Sequence, residues 1–264
     1  MGRIKLGISL KSLGQPFRRS LAPAQKLGVS AIELEATGEL LPQNLTQTGR
    51  REITHLLRSH DLSVSALICP LRRGLDVPDD LEPRMEQIRL TMQLAFDLGP
   101  RLVIIQAGQI GEPSPVRDRL TDDPRIAFMT ESLESLGRHG DRTGVTLALD
   151  TGLDSPETTM TFLARFDVGS LAVNFNPANL VISGHNPYDA VRTFNKRMVH
   201  AHAQDARRTS PNRMATVPLG HGDLDWMQLL ANFEEVDYRG GLTVLGDDHA
   251  DVAAGVSFLR RFVA

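Results

Sequence analysis

Short runs rich in β-branched and other apolar residues recur about every thirty residues along the chain: KLGISL (5–10), SAIELEA (30–36), LSVSALI (62–68), RLVIIQA (101–107), VTLALD (145–150), LAVNFN (171–176), MVHAHAQ (198–204) and LTVLG (242–246). Segments of helical spacing lie between them. The clearest are 82–99, where Met85, Ile88, Met92 and Ala95 share one stripe, and 125–144. Glycine stands just before the next strand in KLGVSAIEL, DLGPRLVII and RTGVTLALD, as a helix C-terminal glycine feeding an αβ loop does. Strands this apolar, each followed by a helix, predict a parallel sheet covered on its outer face. Eight such units in 264 residues predict a closed (β/α)8 barrel, for which roughly 250 residues are typical. An open doubly wound sheet would carry a Gly-rich phosphate loop after its first strand, and LGISLKSLGQP has none. With no linker, low-complexity tract or shift in composition, a single domain over 1–264 is expected.

The chain is 41% hydrophobic, enough for a large core, and its net charge of −3 comes without any run of like charges. That balance argues against a nucleic-acid partner, which would need a basic surface. A lone cysteine, Cys69 in SALICP, rules out an internal disulfide and is expected to be a buried small hydrophobe. The start MGRIKLGISLKS lacks the apolar stretch of a secretory signal or membrane span. A cytoplasmic protein with no membrane partner is therefore expected, and homo-oligomerisation is left open.

In a barrel of this kind, reactive groups sit at the C-terminal ends of the strands and on the loops that follow. Those places hold Ser9, Lys11, Glu33, Glu35, Gln106, Asp150, Asn174, Asn176, His200, His202, Gln204, Asp205, Asp247, Asp248 and His249. His200 and His202 share a face by strand alternation, as two metal ligands or two ordinary barrel histidines would. Asn176 before Pro177 is also a turn starter, and Asp223 in GHGDLDW is also a helix N-cap candidate. Arg72 and Arg73 follow the third strand, and Arg207, Arg208 and Arg213 follow the seventh. Converging at the mouth, such arginines would bind phosphate or carboxylate; otherwise they are solvated loop residues. The connection 205–222 is long for a βα loop and is expected to serve as a lid.

The endings VTLALDTG, VNFNPANL and VHAHAQDA, the turn PLGHGDLDW (218–226) and DYRGGLTVLGDD (237–248) resemble the sugar phosphate isomerase/epimerase superfamily of xylose isomerase-like TIM barrels. The resemblance runs through essentially the whole chain. In that family one divalent metal is held by a glutamate ending the fifth strand, an aspartate after the sixth, a histidine on the seventh and a glutamate closing the eighth. The two glutamates move a proton on and off a carbon beside a carbonyl. Carried over by position, the resemblance puts Asp150 at the first glutamate, Asn176 at the aspartate, His202 at the histidine and Leu245 at the second glutamate. Gln204 replaces a lysine of the family pattern, and Asp205 is retained.

Three carboxylates thus become one, and the ligand charge falls from −3 to −1. Hard divalent ions depend on anionic oxygen, so the resemblance implies a weakly bound Mn²⁺, Mg²⁺ or Zn²⁺, or none. The expected catalytic residues are Asp150 and His202, and the expected metal positions are Asp150, Asn176 and His202. Substrate binding is expected from Glu35, Asn176, Gln204, Asp205, Arg207 and His221. The implied partner is a sugar or sugar phosphate, turned over by an altered isomerase or epimerase, or only bound by a relative that has lost the metal. A metal-dependent abasic-site endonuclease shares the barrel but needs a cluster of His and acidic ligands and a basic groove, and ranks last.

Overall fold

The computed structural model describes residues 4–111, 123–210 and 213–263. Eight parallel strands close into a barrel: β1 (Lys5–Ser9), β2 (Ala31–Glu35), β3 (Ser63–Ile68), β4 (Leu102–Ile105), β5 (Thr146–Asp150), β6 (Leu171–Phe175), β7 (Met198–Ala203) and β10 (Gly241–Val244). They neighbour one another in that order, and β10 returns to pair with β1. Each of the eight predicted runs contains one of these strands or overlaps most of it. The main outer helices are α1 (Phe17–Lys26), α2 (Gln47–Ser59), α3 (Leu81–Leu98), α4 (Pro124–Thr143), α5 (Pro156–Leu163), α6 (Pro177–Ile182), α7 (Pro187–Phe194), α8 (Trp226–Glu235) and α9 (His249–Val263). Gly99 and Gly144 end α3 and α4 at φ of 103° and 67°, a left-handed backbone that glycine adopts without penalty.

Strand alternation sorts the side chains into two cores. Outward positions such as Ile8, Ile32, Leu34, Leu67, Val103, Leu147, Val173, Ala201, Leu242 and Val244 are buried beneath the helices. Inside the barrel, Ala66, Leu102, Ile104, Ala148 and Ala172 form a small apolar cluster on the side of β3 to β6. The rest of the interior is polar: Glu33, Asn174, His200, His202 and Thr243 are all buried. Gly241 faces this side, where an added Cβ would lie 3.0 Å from Cδ2 of His200; its bareness makes room for the imidazole.

The connection expected as a lid loop is instead a β-hairpin, β8 (Asp205–Ser210) and β9 (Arg213–Val217), antiparallel and outside the barrel sheet. Its root is fixed by Asp205. The buried carboxylate accepts from the backbone N–H of Ala206 (2.9 Å), Gly220 (3.0 Å), Gly222 (3.1 Å) and Leu224 (3.4 Å). Four donors on one carboxylate leave little capacity for a ligand. Asp205→Ala is expected to lower stability by on the order of 3 kcal/mol, since several buried N–H groups lose their acceptor. Chemical denaturation checks this, and a loss below about 0.5 kcal/mol, the range of ordinary surface substitutions, would refute the anchor. The N-cap of α8 is Asp225, whose Oδ1 accepts from Gln228 N, and not Asp223, which accepts from the backbone of Arg208.

Candidate active site at the barrel mouth

The register of the strands places the polar interior in one layer. Ser9 pairs with Glu33, Asp150 with Asn174, Asn174 with His200, and Thr243 with His202. Asn174 is the hub. Its Nδ2 donates to Asp150 Oδ1 at 2.6 Å and lies 3.0 Å from His202 Nδ1, while its Oδ1 is 2.8 Å from His200 Nδ1. His200 Nε2 is 2.9 Å from Thr243 Oγ1, and His202 Nε2 is 2.7 Å from Glu33 Oε2.

One assignment of protons satisfies every partner. Thr243 donates to His200 Nε2, His200 Nδ1–H to Asn174 Oδ1, and the Asn174 amide to both Asp150 and His202 Nδ1. His202 Nε2–H then donates to Glu33. This chain is the arrangement in which both imidazoles are neutral. A proton added at His202 Nδ1 would face Asp150 Oδ1 at 3.8 Å, at the expense of the Asn174 hydrogen bond.

The buried charges pull in opposite directions. Burial disfavours charge on His202, but Glu33, through its charge and hydrogen bond, and Asp150 outweigh it and hold the ring above the usual histidine value. Burial would raise Glu33, yet His202, with His200 and Ser9 adding, keeps it below the ordinary carboxylate value. Asp150 is raised, chiefly by burial, against the lowering effect of His202 and the hydrogen bonds of Asn174 and Asn176. His200 is pushed down to about 3, first by burial.

Above this layer lies an open cavity of about 380 Å³, lined by side chains from several strand ends, among them Glu33, Asp150 and His202, with Lys11, Glu35, Gln106, Gln204 and Leu245 around them. Asp150 keeps 14% of its side chain exposed there, against 2% for Glu33 and 6% for His202. Its second oxygen accepts from Asn179 Nδ2 at 3.2 Å, so two amides fix the carboxylate. Cys69 also lines the cavity, with its thiol raised to about 11 by burial.

The residues expected from the sequence divide clearly. Asp150 and His202 stand together at the mouth, and Asn176 lies beside them, near enough to favour the charged form of the Asp150 carboxyl. Asn176 is also the N-cap of α6, its Oδ1 accepting from Asn179 N at 3.2 Å, and its Nδ2 donates to Gln204 at 3.4 Å. Glu35 and Gln204 line the cavity; Glu35 is paired with Lys11 at 2.5 Å. Asp205 is turned into the hairpin root. Arg207 is exposed and donates to the carbonyl of His221, and neither residue lines the cavity. Arg73 pairs with Asp79 at 3.2 Å. Left outside the expected set were Glu33, Asn174 and Asn179, which hold His202 and Asp150 in place. The Glu33 signal was present in AIELE, where alternation puts two carboxylates on the inner face of an otherwise apolar strand.

Of the four positions implied by the resemblance, Asp150 alone is anionic. Leu245 offers no donor atom, and the Asn176 carbonyl oxygen is taken by the helix cap. A different set could hold a metal ion: Glu33, His200 and His202 have ligand atoms within 4.8 Å of one another. Each of the four ring nitrogens already faces a protein partner, so an ion there would have to displace part of the network.

Residues 21–262 match the family model described as xylose isomerase-like TIM barrel. No curated protein matches the chain. Among solved structures, a xylose isomerase domain protein from Planctomyces limnophilus superposes with a TM-score of 0.83 at 20% identity, covering 98% of this chain and 94% of that one. A D-tagatose 3-epimerase-like protein gives 0.79 at 16% identity, with 98% and 96% covered. A xylose isomerase-like TIM barrel protein from Mycobacterium smegmatis in complex with magnesium gives 0.75 at 18%, with 99% and 96% covered. No helix among the described residues is long and apolar enough to cross a membrane. The match over nearly the full length, on a closed eight-stranded barrel, shows that the chain belongs to the xylose isomerase-like TIM barrel family.

Proposed function

We propose that this barrel binds a small polyhydroxylated carbonyl compound, a sugar or sugar phosphate, and moves a proton next to the carbonyl without the family's metal. The observation that carries it is Asp150: one carboxylate, oriented by two amides, facing a polar cavity at the catalytic end of the barrel. In the step envisaged, the Asp150 carboxylate takes a proton from the carbon beside the carbonyl. The C–H electron pair becomes the C=C bond of the enediolate as the carbonyl pair moves onto its oxygen; that oxygen takes the proton of the adjacent hydroxyl, and the same carboxyl returns its proton to the former carbonyl carbon as the new C=O forms. Gln106, Gln204 and Lys11 line the cavity as hydrogen-bond donors for the oxygens on which charge develops. With Glu33 tied to His202, Glu35 paired with Lys11 and Leu245 aliphatic, Asp150 is the base held in place by hydrogen bonds, while Asp247 lines the cavity from an exposed loop position. One base on one face supports transfer between adjacent carbons better than inversion, which calls for a second base opposite.

The reading also holds that Mn²⁺, Mg²⁺ or Zn²⁺ binds weakly or not at all, because Asp150 alone is anionic among the four matched positions. A second reading, a ligand-binding relative without turnover, is favoured by the same Leu245. A thermal-shift and saturation-transfer NMR screen of aldoses, ketoses and their phosphates, in chelator and in Mn²⁺, tests the proposal. Sugar binding is expected in chelator and weakened in Asp150→Asn. Binding that requires Mn²⁺, or that ignores Asp150, would refute it.

A further inference from the structure

A second cavity adjoins the first. It measures about 210 Å³ and is set between the loops that follow β1 and β2, on the same face of the barrel. Lys11 and Glu35 line both cavities, so the space is divided by one ion pair, Lys11 Nζ to Glu35 Oε2 at 2.5 Å. The main cavity alone exceeds a single sugar ring. A hexose takes about six waters' worth of liquid volume, roughly 180 Å³ at roughly 30 Å³ per water. The side cavity is thus on the scale of one more ring.

Its lining suits a sugar. Phe17 and Leu40, both largely buried, give an apolar floor, and Gln15, Thr37 and Glu39 give polar groups around it. The Glu39 carboxylate is fixed, since Oε1 accepts from the backbone N–H of Phe17 at 2.7 Å, and can receive hydroxyl hydrogen bonds without first being ordered. The partition is easily opened. Glu35 is also held by Thr37 Oγ1 at 3.3 Å, but Lys11 is 68% exposed on a flexible stem, and exposed ion pairs contribute little stability.

We infer that the side cavity is a subsite for the second ring of a disaccharide or glycoside whose first ring lies against Asp150, with Lys11 and Glu35 straddling the junction. The inference rests on the sugar-binding reading and narrows its ligand class. Isothermal titration in chelator with D-fructose and a panel of glucosyl-fructoses (turanose, leucrose, isomaltulose, maltulose) tests it. Gln15→Trp and Thr37→Trp each fill the side cavity from an exposed position, and circular dichroism with melting curves checks that they fold. At least one disaccharide is expected to bind roughly tenfold tighter than fructose, and both variants should bring it to the fructose level while fructose binding is unchanged. Fructose binding with no gain from any second ring, or a gain that survives both variants, overturns the subsite and leaves the sugar reading standing. Binding of neither fructose nor any disaccharide overturns the subsite, and the sugar reading falls with it when the screen of aldoses, ketoses and phosphates is negative as well.

Discussion

Replacing Asn176 by Asp and Leu245 by Glu together is expected to turn this barrel into one whose melting temperature rises on adding Mn²⁺. The ligand charge at the four matched positions would return from −1 to −3, which is what a hard divalent ion needs. Both positions are suited to the change. Asp caps a helix as well as Asn does, so α6 keeps its N-terminus. Leu245 already lines the mouth cavity, so a carboxylate there would share it with Asp150 and His202. Without metal the double variant gathers three carboxylates with Glu33 close by, and repulsion with partial burial should cost several kcal/mol. At Mn²⁺ 100-fold above Kd, binding should return roughly 2.7 kcal/mol, a rise of roughly 5–10 °C for a chain of this size. The single variants should respond far less, because both carboxylates act through one ion. A double variant unresponsive to Mn²⁺ would mean that the mouth is organised around Glu33 and the histidines in a way that these two substitutions do not undo.

Acid should unfold the protein early, through His200. Its folded pKa of about 3 lies below the roughly 6.5 of an unfolded histidine, so below pH 6.5 the unfolded chain takes up a proton that the native state refuses. Stability is then lost progressively from pH 6.5 down to about 3, by about 1.4 kcal/mol per pH unit from this group. Glu33 acts in the same direction at lower pH: its folded value is lowered, so its contribution is present above its unfolded pKa and vanishes as pH falls through the folded one. His202 acts on the alkaline side, where its raised folded value means stability lost as pH rises through it. Asp150, also raised, offsets part of the acid loss. His200→Gln isolates the first effect. The variant should be less stable at pH 7, having lost hydrogen bonds to Asn174 and Thr243, yet lose roughly 2 kcal/mol less than the native chain between pH 7 and 5. Equal losses in the two proteins would show that His200 takes a proton in the folded state.

The barrel was legible because its signal is repeated. Eight apolar runs with helical segments between them admit few other folds, and glycines such as Gly99 and Gly144 mark where helices give way to strands. The hairpin was not, because ARRT and RMATV are short and largely exposed, and a weak alternation is easily taken for a polar loop. The run SPN at 210–212 is the cue that the sequence offers. At the site, strand ends place Asp150 and His202 among many polar candidates, and it is the resemblance that singles them out. Asp205 and Arg207 lie off the cavity lining, since a charged residue after a strand can turn to the mouth or to its own loop, and only backbone geometry decides which. Glu33 stands among the strand-end candidates without a role, because its partner lies 169 residues away, a pairing that closure of the barrel creates and no local pattern records.

Hydrogen exchange from solvent reports directly on the proposed chemistry. In deuterated buffer with chelator, the chain should introduce deuterium at the carbon next to the carbonyl of the sugar it binds. Asp150→Asn should do so slower by roughly 10²–10⁴-fold, the contribution of one positioned acid–base group. Exchange that proceeds undiminished in Asp150→Asn, or that is absent from the native chain while the sugar is bound, would contradict the account.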